Sequence, residues 1–246
     1  MCTSKYNNFE PDTFPHGGDD ALKQFSTRIF IPALAALLSL PVIAQTPSLQ
    51  SFDPTSQAAC DAHLPPANDE PRNARIADCA NLDGDLIETD FAILRQRVGT
   101  ENNARQAAFV KLIAAFERYG NRRLEVVDVL CGDGNGCTVD AQIDAALINY
   151  KFLVLTELAR TSQLPSLPAV TPLQEATQLA TARSRILAAP TDAKPRFPAV
   201  LDNFEQSWQT YRDAWLYYAR LTYPNVPAAT WRAYLLKEHL DQLERL

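Results

Sequence analysis

From Arg72 to the end of the chain, apolar residues recur at spacings of three and four, and Pro falls between these runs or at their starts. Ile87, Phe91, Leu94 and Val98 lie on one face of a helix, and Gly99 supplies a C-terminal stop. Phe109, Leu112, Ile113 and Phe116 open a second helix that runs to about Leu130. Ile143, Leu147, Tyr150, Val154 and Leu158 form the stripe of a third. The short Cys131–Cys137 turn between the last two predicts an antiparallel hairpin. Thr171-Pro-Leu-Gln174 is a capping box with Pro at the first helical position, and the helix it opens, carrying Leu173, Ala176, Ala180, Ile186 and Leu187, stops at Pro190. After a Pro-broken linker, Thr191–Pro198, a long helix runs to about Tyr223. Pro224 and Pro227 then mark a turn, and a last helix carries Trp231, Leu235 and Leu243. No stretch alternates at period two for long enough to make a sheet, so the expected fold is an all-α antiparallel bundle. Composition agrees: 8 Gly against 17 Pro suits Pro-punctuated helices better than a Gly-rich nucleotide-binding α/β fold, and 46% hydrophobic residues exclude a disordered chain.

The order of helices suggests a duplication. At a constant offset of 92, Phe116-Glu-Arg-Tyr119-Gly-Asn-Arg-Arg-Leu124 lies over Trp208-Gln-Thr-Tyr211-Arg-Asp-Ala-Trp-Leu216, matching aromatic, Tyr and Leu in register. The expected organisation is a leader over 1–44, a Pro-rich segment over 45–71, one three-helix unit over 72–162, a linker over 163–170 and a second unit over 171–246. Three such helices can bury a core of their own, and a core shared between the units is equally open.

The leader reads as a secretory signal: a basic lead ending at Arg28, the apolar run Ile29–Ala44, small or aliphatic residues at Val42 and Ala44, and cleavage after Ala44. Pro32, Pro41 and the short run make a membrane span the weaker reading. The polar stretch Met1–Leu22 ahead of it fits a start site placed too far upstream. No Cys follows the cleavage point directly, so a lipid anchor is not expected. The chain carries a net charge of −6. The leader holds three basic and four acidic residues, so 20 basic and 25 acidic remain and the mature chain keeps a net −5. That balance argues against nucleic acid and for a cationic partner.

Four Cys remain beyond the leader: Cys60, Cys79, Cys131 and Cys137. An even number in an exported chain reads as disulfides with three possible connectivities, of which the sequence-local pairs Cys60 with Cys79 and Cys131 with Cys137 are favoured. Zinc is the rival, but no CxxC spacing exists and only His63 and His239 remain as histidine ligands. The tip around Cys131–Cys137 imitates a calcium loop through Asp133, Asn135 and Asp144, yet Thr138 stands where the turn requires Gly. A Gly-rich turn between helices is the expectation there.

Ser207-Trp-Gln-Thr-Tyr-Arg-Asp-Ala-Trp-Leu216, followed about 15 residues later by Trp231-Arg-Ala-Tyr-Leu-Leu-Lys-Glu-His-Leu-Asp-Gln-Leu-Glu-Arg-Leu246, is similar to the closing hairpin of the lysozyme inhibitor LprI N-terminal-like domains. Ala77-Asp-Cys79-Ala-Asn-Leu-Asp-Gly-Asp-Leu and Asp90-Phe-Ala-Ile-Leu resemble that family's Cys-containing opening. The family's usual Cys two residues after Arg-Asp-Ala is here Leu216, no Cys lies beyond 137, and in the first unit Arg-Asp has become Gly120-Asn121. The resemblance implies a small exported helical domain, and a lysozyme-inhibitor-like function.

Candidate partner-binding residues fall in two groups. Arg212, Asp213, Trp215, Tyr217, Tyr218 and Tyr223 concentrate aromatic and charged groups near a helix end and its Pro-flanked loop. Adjacent on a helix, Arg212 and Asp213 point about 100° apart and are not expected to face one another. Asp133 and Asp140, with Asp128 and Asp144, form an acidic tip suited to a basic enzyme cleft. No cofactor is expected. His63, in a Pro-rich loop, and His239, on a terminal helix, form no nucleophilic set with the Ser or Cys residues, so no catalytic residue is expected. The expected function is a periplasmic or secreted, non-enzymatic protein that blocks a cationic peptidoglycan hydrolase, a lysozyme or a toxin muramidase. The alternative is a periplasmic docking or structural factor without inhibitory activity.

Overall fold

The computed structural model describes residues 49–64, 72–131, 137–161, 163–164, 166–188 and 195–246, with backbone only for 72–74, 76, 131 and 137–140. Among these residues there are seven α-helices and no strand: α1 (Gln57–His63), α2 (Arg72–Gly99), α3 (Asn103–Cys131), α4 (Cys137–Arg160), α5 (Pro172–Ala188), α6 (Phe197–Thr222) and α7 (Ala228–Leu243). Helix boundaries follow local chemistry. Gly99 ends α2. At the start of α5 the Gln174 amide donates to Thr171 Oγ1 at 3.2 Å, while the Thr171 backbone N–H donates to Gln174 Oε1 at 2.9 Å. One helix was not foreseen: α1 lies in the Pro-rich segment, N-capped by Ser56, and it places His63 in its last turn rather than in a loop.

Packing is dominated by α3 against α6, with α2 laid on α4 and α5 on α7. Residues from α2 to α7 enter a single apolar core. The two predicted three-helix segments therefore share their interior. The fully enclosed side chains include Trp208, Trp215, Trp231, Phe204, Leu112, Leu153 and Leu201. Trp215 sits edge-on to Phe152 at 5.2 Å and beside Trp231 at 5.7 Å. The indoles of Trp208, Trp215 and Trp231, each burying on the order of 200 Å², anchor α6 and α7 in this shared core.

A smaller cluster sits apart. Phe52, Cys60 and Cys79 pack with Leu64, Leu82 and Leu86, and the Cys60–Cys79 disulfide ties α1 to α2 with Cα atoms 5.7 Å apart. The other expected pair, Cys131 with Cys137, has side chains outside the described residues. Among the described residues no helix is long and apolar enough to cross a membrane.

Candidate functional site

Helix α6 carries most of the predicted residues and divides them between two faces. Its inner face, Leu201, Phe204, Trp208, Tyr211, Trp215 and Tyr218, is buried throughout. Trp215 is fully enclosed and Tyr218 nearly so, which makes both packing residues rather than contact residues. Burial pushes the Tyr218 hydroxyl up to about 12, with the Glu101 carboxylate adding to the shift. Tyr223 is half-buried, edge-on to Tyr218 at 6.2 Å and tilted on Trp231 at 5.6 Å, so the Pro-flanked loop folds its ring inward. Tyr217 alone of the aromatic group stands out, 44% exposed, with the Arg220 guanidinium over its ring at 5.3 Å.

Arg212 turns back toward the bundle. It pairs with Glu175 of α5, lies 5.2 Å over the Trp208 ring, and also donates from Nε to Asp213 Oδ1 at 2.8 Å. The expectation that neighbours on a helix do not meet is corrected here: the Cβ directions diverge, but the long Arg stem bends back to the exposed carboxylate. Glu175, 3% exposed, also accepts from Arg232 of α7 at 2.9 Å, so one carboxylate joins three helices.

Behind Trp208 lies the second histidine. His239 is fully buried, stacked on Trp208 at 4.5 Å with rings 10° apart, and its Nδ1 is 3.2 Å from the Tyr119 hydroxyl. Burial, reinforced by the nearby Arg123 charge, lowers its pKa to about 3, so the ring is neutral at pH 7. Arg123 itself is enclosed in the core and donates from Nε and Nη2 to Asp144 at 3.0 and 2.6 Å. Asp144 is thus an internal ion-pair partner rather than part of an acidic tip. A cavity of about 30 Å³ touches Phe116, Trp208, Tyr211, His239 and Gln242, which is room for one water and not for a substrate.

Of the acidic group, Asp128 is exposed and pairs with Arg196 at 3.4 Å. Asp133 and the Asp140 side chain lie outside the described residues. No cluster of metal-ligating side chains occurs among the described residues. His63 stacks on Phe52 at 4.4 Å and bonds the Ala59 carbonyl through Nδ1, a local cap rather than a base facing a nucleophile. The exposed residues of α6 include Asp202, Asn203, Gln206, Gln209, Thr210, Asp213, Tyr217 and Arg220, and the last three, at i, i+4 and i+7, form a strip toward its C-terminal end. The residues that sequence reasoning missed are Glu175, Arg123, Asp83 and Asp90. Each is a charged side chain placed at helical apolar spacing, the one signal that could have marked them as buried.

The chain matches no protein-family model, no curated protein and no solved structure.

Proposed function

We propose that this chain is an exported, non-enzymatic binding protein that covers the cleft of a cationic peptidoglycan hydrolase. The observation that supports it most is the outer strip of α6. Asp213, with a side chain 65% exposed, and Tyr217 are presented by a helix whose opposite face is locked into the core, so an aromatic anchor is offered on a backbone that needs no further ordering. The acidic mature charge would speed encounter with a basic enzyme. The Cys60–Cys79 disulfide suits an oxidising compartment.

The same reading takes the bundle as two copies of one three-helix unit. At the offset of 92, buried positions fall on buried positions: Phe109 and Leu201, Leu112 and Phe204, Phe116 and Trp208, and Asp83 and Glu175. In the second copy Arg212 answers Glu175; in the first, Gly120 stands at the matching place.

Lysis of cell walls by several lysozymes, followed by turbidity with and without residues 45–246, tests the proposal. Slower lysis at stoichiometric protein, relieved by Tyr217→Ala, is expected; unchanged lysis at excess protein overturns it. The alternative of a docking factor draws on α5, where Leu173 and Leu187 are 78% and 43% exposed. Fourteen positions apart, they lie within about 40° of one face. The Thr177, Thr181 and Ser184 hydroxyls between them donate to carbonyls of their own helix, leaving a strip less polar than its composition. Unchanged lysis would shift weight to this face.

A further inference from the structure

The segment ahead of α1 is attached to α2 in an unusual way, through side-chain carboxylates rather than backbone pairing. The Gln50 N–H donates to both Asp90 oxygens at 3.0 and 2.9 Å, and the Ser51 N–H and hydroxyl donate to Asp90 Oδ2 at 2.8 and 2.6 Å. The Phe52 N–H donates to Asp83 Oδ1 at 2.9 Å. Ser51, Phe52, Asp83 and Asp90 are all buried. Asp83 is fully enclosed, and its Oδ2 is buried with no hydrogen-bond partner.

An ionised carboxylate in that position would leave a charged oxygen without a donor, which a dry site strongly disfavours. A protonated one is a neutral acid that still accepts the Phe52 amide through Oδ1. The groups around it favour the neutral form. From the segment itself comes Asp53, from α2 Asp90, and from α4 the Tyr150 phenol, whose own pKa is raised by burial and by Asp53 and Asp83; the Phe52 amide and, from α1, the exposed His63 act in the other direction, and burial outweighs them. Among the described residues no cation pairs with Asp83, whereas the residue 92 positions on, Glu175, is held by two arginines.

We propose that Leu49–Asp53 is a proton-gated latch, closed on α2 while Asp83 is protonated and loosened when Asp83 ionises. Burial, with Asp53 and Asp90 adding to it, raises this carboxyl to about 7 against an ordinary 3.8. Because the closed form binds the proton more tightly, closure is strongest in acid. It weakens as pH rises above about 4 and has lost the whole contribution once pH passes about 7. The disulfide lies C-terminal to the latch, so the segment can open without unfolding α1.

Two readouts on residues 45–246 test this. Amide exchange at Ser51 and Phe52, corrected for intrinsic rates, should show latch opening rise roughly tenfold or more between pH 5 and 8, because each pH step between the open and closed pKa values of Asp83 favours the open form about tenfold. Asp83→Asn, which keeps the acceptor and cannot ionise, should flatten that profile; Asp90→Asn should raise opening and keep a pH dependence, with its end displaced to lower pH because the Asp90 charge no longer raises Asp83. Carboxyl ¹³C NMR of the unmutated protein should place the Asp83 midpoint near 7, coincident with opening. A midpoint below 5, or an opening profile that is flat or is unchanged by Asp83→Asn, overturns the latch.

Discussion

Tyr119 of α3 and Tyr211 of α6, 92 positions apart in the chain, stack on one another with ring centroids 5.3 Å apart and planes 9° from parallel. Two residues that stand in register at the offset of 92 thus meet at the seam where α3 packs on α6. Around them Phe116, Phe152 and Phe204 complete an aromatic layer: Phe204 stacks on Tyr119 at 5.1 Å and Phe152 on Phe116 at 4.4 Å. Truncating Tyr211 to Ala removes a large buried ring from that layer. A loss of about 3–5 kcal/mol is expected in urea unfolding, and a loss under about 1 kcal/mol would show that the seam is not central to stability.

The neutral, buried His239 makes stability depend on pH in a stated direction. Its folded pKa, about 3, lies below the ordinary 6.5, so its contribution is complete above about pH 6.5 and is lost as pH falls through the folded value. The urea midpoint of the natural protein should drop more steeply between pH 6.5 and 4 than that of His239→Phe, which keeps a ring against Trp208. Parallel profiles would contradict this.

Glu175 holds two guanidinium groups from different helices. Replacing it with Gln leaves both partly buried arginines short of their counter-charge, with Asp213 still available to Arg212. A destabilisation of about 3 kcal/mol is expected, the range for breaking one partner out of an enclosed ion pair. Arg232→Leu in the Glu175→Gln background should cost less than Arg232→Leu alone, which a double-mutant cycle in urea measures directly.

Helix order and ends were legible because their signals are local. The Thr171–Gln174 capping box and the Pro-marked turn before α7 each need only a few neighbouring residues, and the folded chain uses both, while α2 ends at Gly99 without the left-handed backbone of a glycine cap. What the residues did not disclose depends on long-range partners. Asp90 finds the Gln50 and Ser51 donors 40 and 39 positions away, and Arg123 finds Asp144 across the α3–α4 hairpin. The aromatic group on α6 was legible as a group. Which members face inward was not, because Trp215 and Tyr218 lie on the core stripe while Tyr217, one step round the helix, lies off it.

The Cys60–Cys79 bridge closes a loop of sequence separation 19 and belongs to the smaller core. Reduction should cost on the order of 3 kcal/mol in the loop-entropy model. The loss should appear as faster amide exchange in α1 and the first turns of α2, with α3 and α6 unchanged. Equal acceleration across all helices would show that the small cluster is not a separate stabilising unit.

Tyr217 stands at 44% exposure with the Arg220 guanidinium over its ring. Tyr217→Ala should therefore leave the urea midpoint within about 0.5 kcal/mol of the natural protein, as for a surface substitution away from packed features. A larger loss would mean that this ring supports the fold and is not free to serve as an anchor.

Calorimetric titration of residues 45–246 with a cationic lysozyme, at low and at raised salt, tests the account most directly. Saturable one-to-one binding that weakens with salt and is reduced by Tyr217→Ala is predicted; no association at either salt concentration would contradict it.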